Sequence, residues 1–154
     1  MKAVPDFVAG FVMGMTGDNH LMEVEHCMEG AELVGAELKQ AIKDIREGGL
    51  EYDLDAVFQF GLMAMQVPSA LKTCESMGDD LAAIKQWADI FRDPKELVQV
   101  VTKHYLFHKG QIKTDVAALE ADWTQGLYFR AGVDLADLMT VAIGPIEEAS
   151  YVEF

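Results

Sequence analysis

Apolar and small residues recur every three or four positions along most of the chain, as they do on one face of an α-helix. Between Leu21 and Ile45 this alternation is unbroken, which predicts a long first helix with an apolar seam. The same spacing continues from Tyr52 to Phe91 and predicts a second helix. Pro68 should kink that helix, because proline lacks the N–H of a helical hydrogen bond and its ring clashes with the preceding turn.

Two more helices are predicted in the second half of the chain. Asp93 followed by Pro94 is typical of a helix start, and this third helix should run to about His108. The fourth should run from Ile112 to Ala142 and end at the glycine–proline pair that follows. No segment sustains the period of two that is typical of a strand.

These patterns predict an all-α fold class. We expect an antiparallel bundle of about four long helices, preceded by a short N-terminal helix. The chain has 154 residues, which is enough for one self-sufficient core. Residues 1–145 are therefore predicted to form a single helical domain, with residues 146–154 as a C-terminal tail or docking arm.

The two cysteines lie at equal distances from the turn expected at Gly48 to Glu51. If two helices are joined there, Cys27 and Cys74 lie at the same height in the bundle, which predicts a disulfide between the first two helices. The alternative is that both are small buried thiols. A disulfide implies an oxidising compartment, so we expect a secreted or luminal protein if the bridge forms.

Composition and charge exclude several classes of partner. With 51% hydrophobic residues the chain is too apolar to be disordered. Its 26 acidic and 12 basic residues give a formal net charge of −14, so nucleic acid and anionic membrane surfaces would repel it. The apolar run from Phe7 to Met15 is too short to cross a bilayer, and no membrane span is expected.

Two residue pairs have spacings used in metal sites. Glu23 and His26 have the Glu-x-x-His spacing of di-iron bundles, but the helix seam places both on the solvent side. His104 and His108, at i and i+4, are weak candidates because the neighbouring lysines disfavour a cation. Those lysines are Lys103, Lys109 and Lys113. No phosphate loop, dinucleotide fingerprint or nucleophile elbow occurs, so we expect no enzyme activity, no metal and no cofactor.

The chain ends are the main candidates for contacts between copies. Phe7, Phe11 and Met15 follow one another at i, i+4 and i+8, and the tail carries Tyr151 and Phe154. One small core does not have to bury the aromatic residues at both ends of the chain, so we expect these five residues to contact another copy. The principal hypothesis is a non-enzymatic, self-associating structural subunit whose head-to-tail contacts build a ring or filament.

Charge is segregated in a way that fits such contacts. Residues 3–38 contain seven acidic residues and no lysine or arginine, whereas residues 92–113 contain five basic residues against two acidic ones. We expect the acidic face from Glu23 to Glu37 and the basic face from Lys103 to Lys113 to be secondary contacts. Elsewhere, Arg130 and Asp134 have the i, i+4 spacing of an ordinary ion pair.

Methionine supports a different hypothesis. The chain has nine methionines, and flexible thioether side chains adapt to varied apolar ligands as well as filling gaps in a core. The alternative function is therefore a binding module that holds a lipid or another small hydrophobic molecule between its helices.

Three local features give the chain a family resemblance. They are Phe-x-x-Gly near the start, one cysteine in each of the first two predicted helices, and the closing stretch from Ala131-Gly132-Val133-Asp134 to Ile143-Gly144-Pro145. In these features the chain resembles the small secreted helical proteins that ciliates encode in numbers. The resemblance implies a secreted helical protein and brings no activity with it.

Overall fold

The computed structural model describes residues 3–29, 31–47, 50–144 and 146, and the regular secondary structure of these residues is entirely helical, with no strand. Seven α-helices and two short 3₁₀ segments follow one another. They are α1 (Ala3–Thr16), α2 (Leu21–Cys27), α3 (Ala31–Glu47), α4 (Leu50–Ala70), the 3₁₀ segment Glu75–Met77, α5 (Gly78–Trp87), the 3₁₀ segment Ala88–Arg92, α6 (Pro94–Thr124) and α7 (Tyr128–Ala142). The predicted all-α fold class is confirmed.

The predicted first helix is two helices. The seam from Leu21 to Ile45 is interrupted after Cys27, where Met28 has extended backbone angles. The chain is held there from outside the helix: the Glu29 N–H donates to the Ala70 carbonyl at 2.9 Å, and the Thr73 hydroxyl donates to the Cys27 carbonyl at 2.8 Å. These bonds to the end of α4 replace the helical bonds that a continuous helix would make.

The predicted second helix is also divided. Its first part, α4, ends just after Pro68, where only a kink was expected. Pro68 lies in the last turn of α4, which stops at Ala70. Beyond it the backbone tightens, since the Lys72 N–H bonds to the Ser69 carbonyl and the Cys74 N–H to the Leu71 carbonyl. The chain then passes through a 3₁₀ segment into α5.

The predicted boundary between the third and fourth helices is a kink, and the predicted fourth helix has a further break. The side chain of Asp93 caps α6 as expected by accepting the Glu96 N–H at 3.2 Å. At the predicted end of the third helix, His108 has the non-helical angles φ −127° and ψ 27°, and a second helical segment of α6 continues from this kink to Thr124. The break that the sequence did not predict lies at Gly126, within the predicted fourth helix, where a φ of +79° is left-handed.

The turn at Gly126 has the hydrogen bonds of a Schellman motif. The Gly126 N–H donates to the Trp123 carbonyl at 3.1 Å, and the Leu127 N–H donates to the Asp122 carbonyl at 2.9 Å. Because this motif closes α6 and reverses the chain, α7 packs back against α6.

The N-terminal helix is central, which corrects its expected place at the periphery. The segment from Phe7 to Val12 is buried without interruption, and α1 packs most extensively on α7. The two backbones touch: a Cβ on Gly10 would collide with the Phe129 carbonyl, and a Cβ on Gly132 would collide with the Phe7 carbonyl. In the Phe-x-x-Gly pattern, Gly10 and Gly132 are therefore the residues at which α1 and α7 cross.

Candidate functional site

Cys27 and Cys74 form a disulfide, with their Cα atoms 5.6 Å apart, so the predicted pairing is confirmed. The bridge joins the end of α2 to the residue before the 3₁₀ segment Glu75–Met77, and so does not link two long helices as expected. It lies beside the Thr73 hydroxyl bond to the Cys27 carbonyl. Together these contacts fasten α2 to the segment that leads into α5.

The predicted self-association residues do not form one surface. Phe7 and Phe11 are fully buried within the chain itself, where their rings lie 5.7 Å from Trp123 and 6.4 Å from Trp87. Placing these two residues on a joining surface was wrong, because the Gly10–Gly132 crossing leaves α1 covered by α7. Met15 is half-buried and accepts a weak hydrogen bond from the Thr140 hydroxyl. Tyr151 and Phe154 lie outside the described residues.

A different apolar pair is exposed on α6. Leu106 and Phe107 are 73% and 75% exposed, just before the kink at His108. The preceding residue, Tyr105, faces the core. Three consecutive large apolar residues cannot share one helix face, so the sequence Tyr105-Leu106-Phe107 was the signal that could have revealed this pair.

Basic residues flank this pair. Lys103 lies one turn before Phe107, and Lys109 and Lys113 follow within two turns; all three are exposed. We call Lys103, Leu106, Phe107, Lys109 and Lys113 the basic surface.

The acidic part of the chain also presents an exposed apolar side chain. Met22 on α2 is 75% exposed, and Glu29 just beyond the helix is exposed as well. Glu25 is half-buried one turn from Met22. We call Met22, Glu25 and Glu29 the acidic surface. It has the opposite charge to the basic surface and a matching apolar centre.

The residues at the two spacings used in metal sites make other contacts. His104 Nδ1 donates to the Ala142 carbonyl at 2.9 Å, so this residue satisfies the C-terminal end of α7. Its ring lies 6.2 Å from that of His108. Glu23 accepts the Ser76 hydroxyl at 2.6 and 2.7 Å, while His26 Nδ1 donates to the Met22 carbonyl.

A third set of side chains has the composition of a metal site. Asp18, His20 and Asp80 each place a ligand atom within 4.8 Å of the others, and they are the only such group in the described part of the chain. The group has no signature in the sequence, because Asp80 lies 60 residues after His20.

The expected Arg130–Asp134 ion pair does not determine the pKa of Asp134. Burial, and then the hydrogen-bonded carboxyl of Asp122, raise the pKa of Asp134 to about 7, against the opposing charge of Arg130. The negative charge of Asp137 acts in the same direction as burial. Asp134 therefore remains protonated well above the pH at which a free aspartate ionises.

A family model described as SctB-like, Secreted protein B-like, matches residues 1–143. The chain belongs to this family. Membership in a secreted family and the Cys27–Cys74 disulfide support an extracellular or luminal location. They also agree with the resemblance to secreted helical proteins noted above. No curated protein and no solved structure matches the chain.

Two further features of this SctB-like chain bear on its partners. Among the described residues, every helix is too short or too polar to cross a membrane. An apolar cavity lies between α6 and its neighbours, lined in part by Val101, Tyr105 and Ile112, but its volume is about 20 Å³. That is room for about one water molecule, so this cavity gives no support to a lipid held between the helices.

Proposed function

We propose that this secreted protein is a non-enzymatic helical subunit that associates head to tail, the basic surface of one copy binding the acidic surface of the next. The observation that carries the proposal is the adjacent pair Leu106 and Phe107, each about three-quarters exposed and the most exposed large apolar residues of α6. An exposed apolar centre with a charged rim is typical of a protein contact.

Charge complementarity favours a second copy as the occupant. The basic surface carries three lysines, and the chain itself supplies an acidic surface around the exposed Met22. Opposite charges steer the two surfaces together, while the apolar residues supply the buried contact. Because the two surfaces differ, a pair of bound copies still has one free surface of each kind, and the assembly grows into a ring or filament.

The first test removes the apolar pair. In Leu106→Ser/Phe107→Ser both side chains change at exposed positions, so the helicity and melting of the monomer should stay the same. Sedimentation velocity should show assemblies for the natural chain and monomer for the variant. Assemblies of unchanged size in the variant would overturn the proposal, and so would a natural chain that is monomeric at every concentration.

The second test reverses charge with a matched control. Lys109→Glu/Lys113→Glu changes two exposed lysines on α6, and Lys39→Glu/Lys43→Glu changes two exposed lysines with the same i, i+4 spacing on α3. Both variants alter the net charge equally, so general repulsion affects them alike. We expect the α6 variant to associate at least tenfold more weakly than the α3 variant. Equal weakening would mean that total charge, and not the basic surface, controls association.

A further inference from the structure

We propose that Asp18, His20 and Asp80 form a binding site for one divalent transition-metal ion, with Zn²⁺ the best match. The three residues come from two separate parts of the chain. Asp18 and His20 lie in the loop between α1 and α2, and Asp80 lies in the first turn of α5. Their ligand atoms all lie within 4.8 Å of one another. This inference does not depend on the proposed self-association.

The two carboxyl groups need a positive partner. A carboxylate oxygen of Asp18 and one of Asp80 lie within 4.8 Å of each other. Two carboxylates this close repel each other, and a divalent cation bound between them removes that repulsion. The Nε2 atom of His20, 2.8 Å from Asp80 Oδ2, completes the group with a nitrogen ligand.

The orientation of the imidazole is set by residues outside the group. Nδ1 of His20 lies 3.4 Å from Oε1 of Glu23, and the Glu23 carboxylate is in turn held by the Ser76 hydroxyl at 2.6 and 2.7 Å. A carboxylate on one ring nitrogen directs the other nitrogen toward a metal, and metal-bound histidines almost always have such a partner. Here that partner is present, and Nε2 faces the two aspartates.

The disulfide holds the two halves of the site together. His20 immediately precedes α2, which ends at Cys27, and Cys74 lies six residues before Asp80. Ser76, which holds Glu23, follows Cys74 by two residues. The Cys27–Cys74 bond therefore links the histidine side to the aspartate side, so that little ordering is needed when an ion binds.

The ligand types favour Zn²⁺. An imidazole nitrogen with two carboxylate oxygens suits Zn²⁺, whereas Ca²⁺ and Mg²⁺ prefer oxygen ligands alone. Three protein ligands leave a fourth tetrahedral position for water. Asp18 is exposed, which gives an ion a path from solvent.

The test measures Zn²⁺ affinity by calorimetry on chelator-treated protein, with a competing chelator of known affinity. The natural chain should bind one Zn²⁺, and His20→Ala and Asp80→Asn should each bind at least tenfold more weakly. His26→Ala and Asp79→Asn are matched controls, because they remove an exposed histidine of α2 and an exposed aspartate of α5 outside the group. Both controls should bind as the natural chain does.

Glu23→Gln tests the positioning role. It should keep one site per chain but weaken Zn²⁺ binding about 10- to 100-fold, the usual effect of losing such an outer partner. The proposal fails if the natural chain binds no Zn²⁺, if His20→Ala binds equally well, or if the controls lose as much affinity as the ligand variants. Ca²⁺ binding that survives His20→Ala would also overturn it, since the site would then be carboxylate alone. Circular dichroism shows whether a variant has unfolded. If His20→Ala or Asp80→Asn unfolds, the Zn²⁺ affinity of the other one tests the proposal.

Discussion

At the scale of single residues, the glycines of α1 and α7 are visible as a pattern in the sequence, but the helix against which they pack is not. Phe-x-x-Gly is easily seen in the sequence at Gly10 and Gly132, and a glycine inside a helix is destabilising unless another group packs closely against it. Whether the packing is within the chain or between copies depends on which helix lies opposite. The structure places α7 there, with the Phe129 carbonyl against Gly10.

A pair of alanine substitutions tests this crossing. In Gly10→Ala the new Cβ has no space beside the Phe129 backbone, so α1 and α7 must separate. We expect a loss of about 1–3 kcal/mol, typical of an overpacked core. Gly110→Ala, in α6, meets no atom within 4 Å and should be neutral or up to about 1 kcal/mol more stable, because alanine favours helix. Urea denaturation measures both, and equal stability of the two variants would mean that α1 does not pack on α7.

The raised pKa of Asp134 predicts how stability depends on pH. Its pKa is about 7 in the fold against 3.8 ordinarily, so between these values the folded state binds more protons than the unfolded state. The contribution of Asp134 to stability is therefore present at about pH 4 and is lost as the pH rises through 7. The melting temperature of the natural chain should fall over this range.

Asp134→Asn should flatten that dependence and raise the melting temperature at pH 8, because an amide beside Asp122 carries no charge. Glu75→Gln, at an exposed position, removes the same charge as a control and should keep the natural slope. Differential scanning calorimetry from pH 4 to 8 compares the three proteins. A slope that Asp134→Asn leaves intact contradicts the assignment.

At the scale of elements, local signals found the helices but not every break. The cap at Asp93 and the Gly126 turn are both encoded locally, and Gly126 could have been recognised as the end of α6. The break after Cys27 could not have been recognised from the sequence. It depends on the hydrogen bond from the Glu29 N–H to the Ala70 carbonyl, and only folding brings these two groups together. The Cys27–Cys74 pairing was predictable because a helical hairpin fixes relative height, even though the first helix is divided.

Loss of the disulfide should destabilise this part of the fold. The bond closes a loop of 47 residues, for which the chain-entropy estimate is on the order of 4 kcal/mol. Reduction, or Cys27→Ala/Cys74→Ala, should lower the free energy of unfolding by up to this amount, as measured by urea denaturation with and without reductant. A natural chain whose stability is unaffected by reductant would show that the thiols are not joined. The alanine variant serves as the control, since reductant should not change it further.

At the scale of the whole molecule, the proposed association depends on the acidic surface and the basic surface. Segregated charge was visible in the sequence, and it located the acidic and basic regions that the structure displays on α2 and α6. The apolar centre of the contact was placed wrongly at Phe7 and Phe11, because an apolar helix was assumed to lie outside the core. Leu106 and Phe107 have the exposure that Phe7 and Phe11 lack.

Mixing two blocked variants tests the head-to-tail contact most directly. Leu106→Ser/Phe107→Ser leaves a chain with only a working acidic surface, and Met22→Ser/Glu29→Lys leaves one with only a working basic surface. Each alone should be monomeric, whereas their equimolar mixture should form a complex of two chains and grow no further. Light scattering should therefore give twice the chain mass of 17.0 kDa for the mixture. A mixture that stays monomeric, or one that grows beyond two chains, would contradict a contact between these two surfaces.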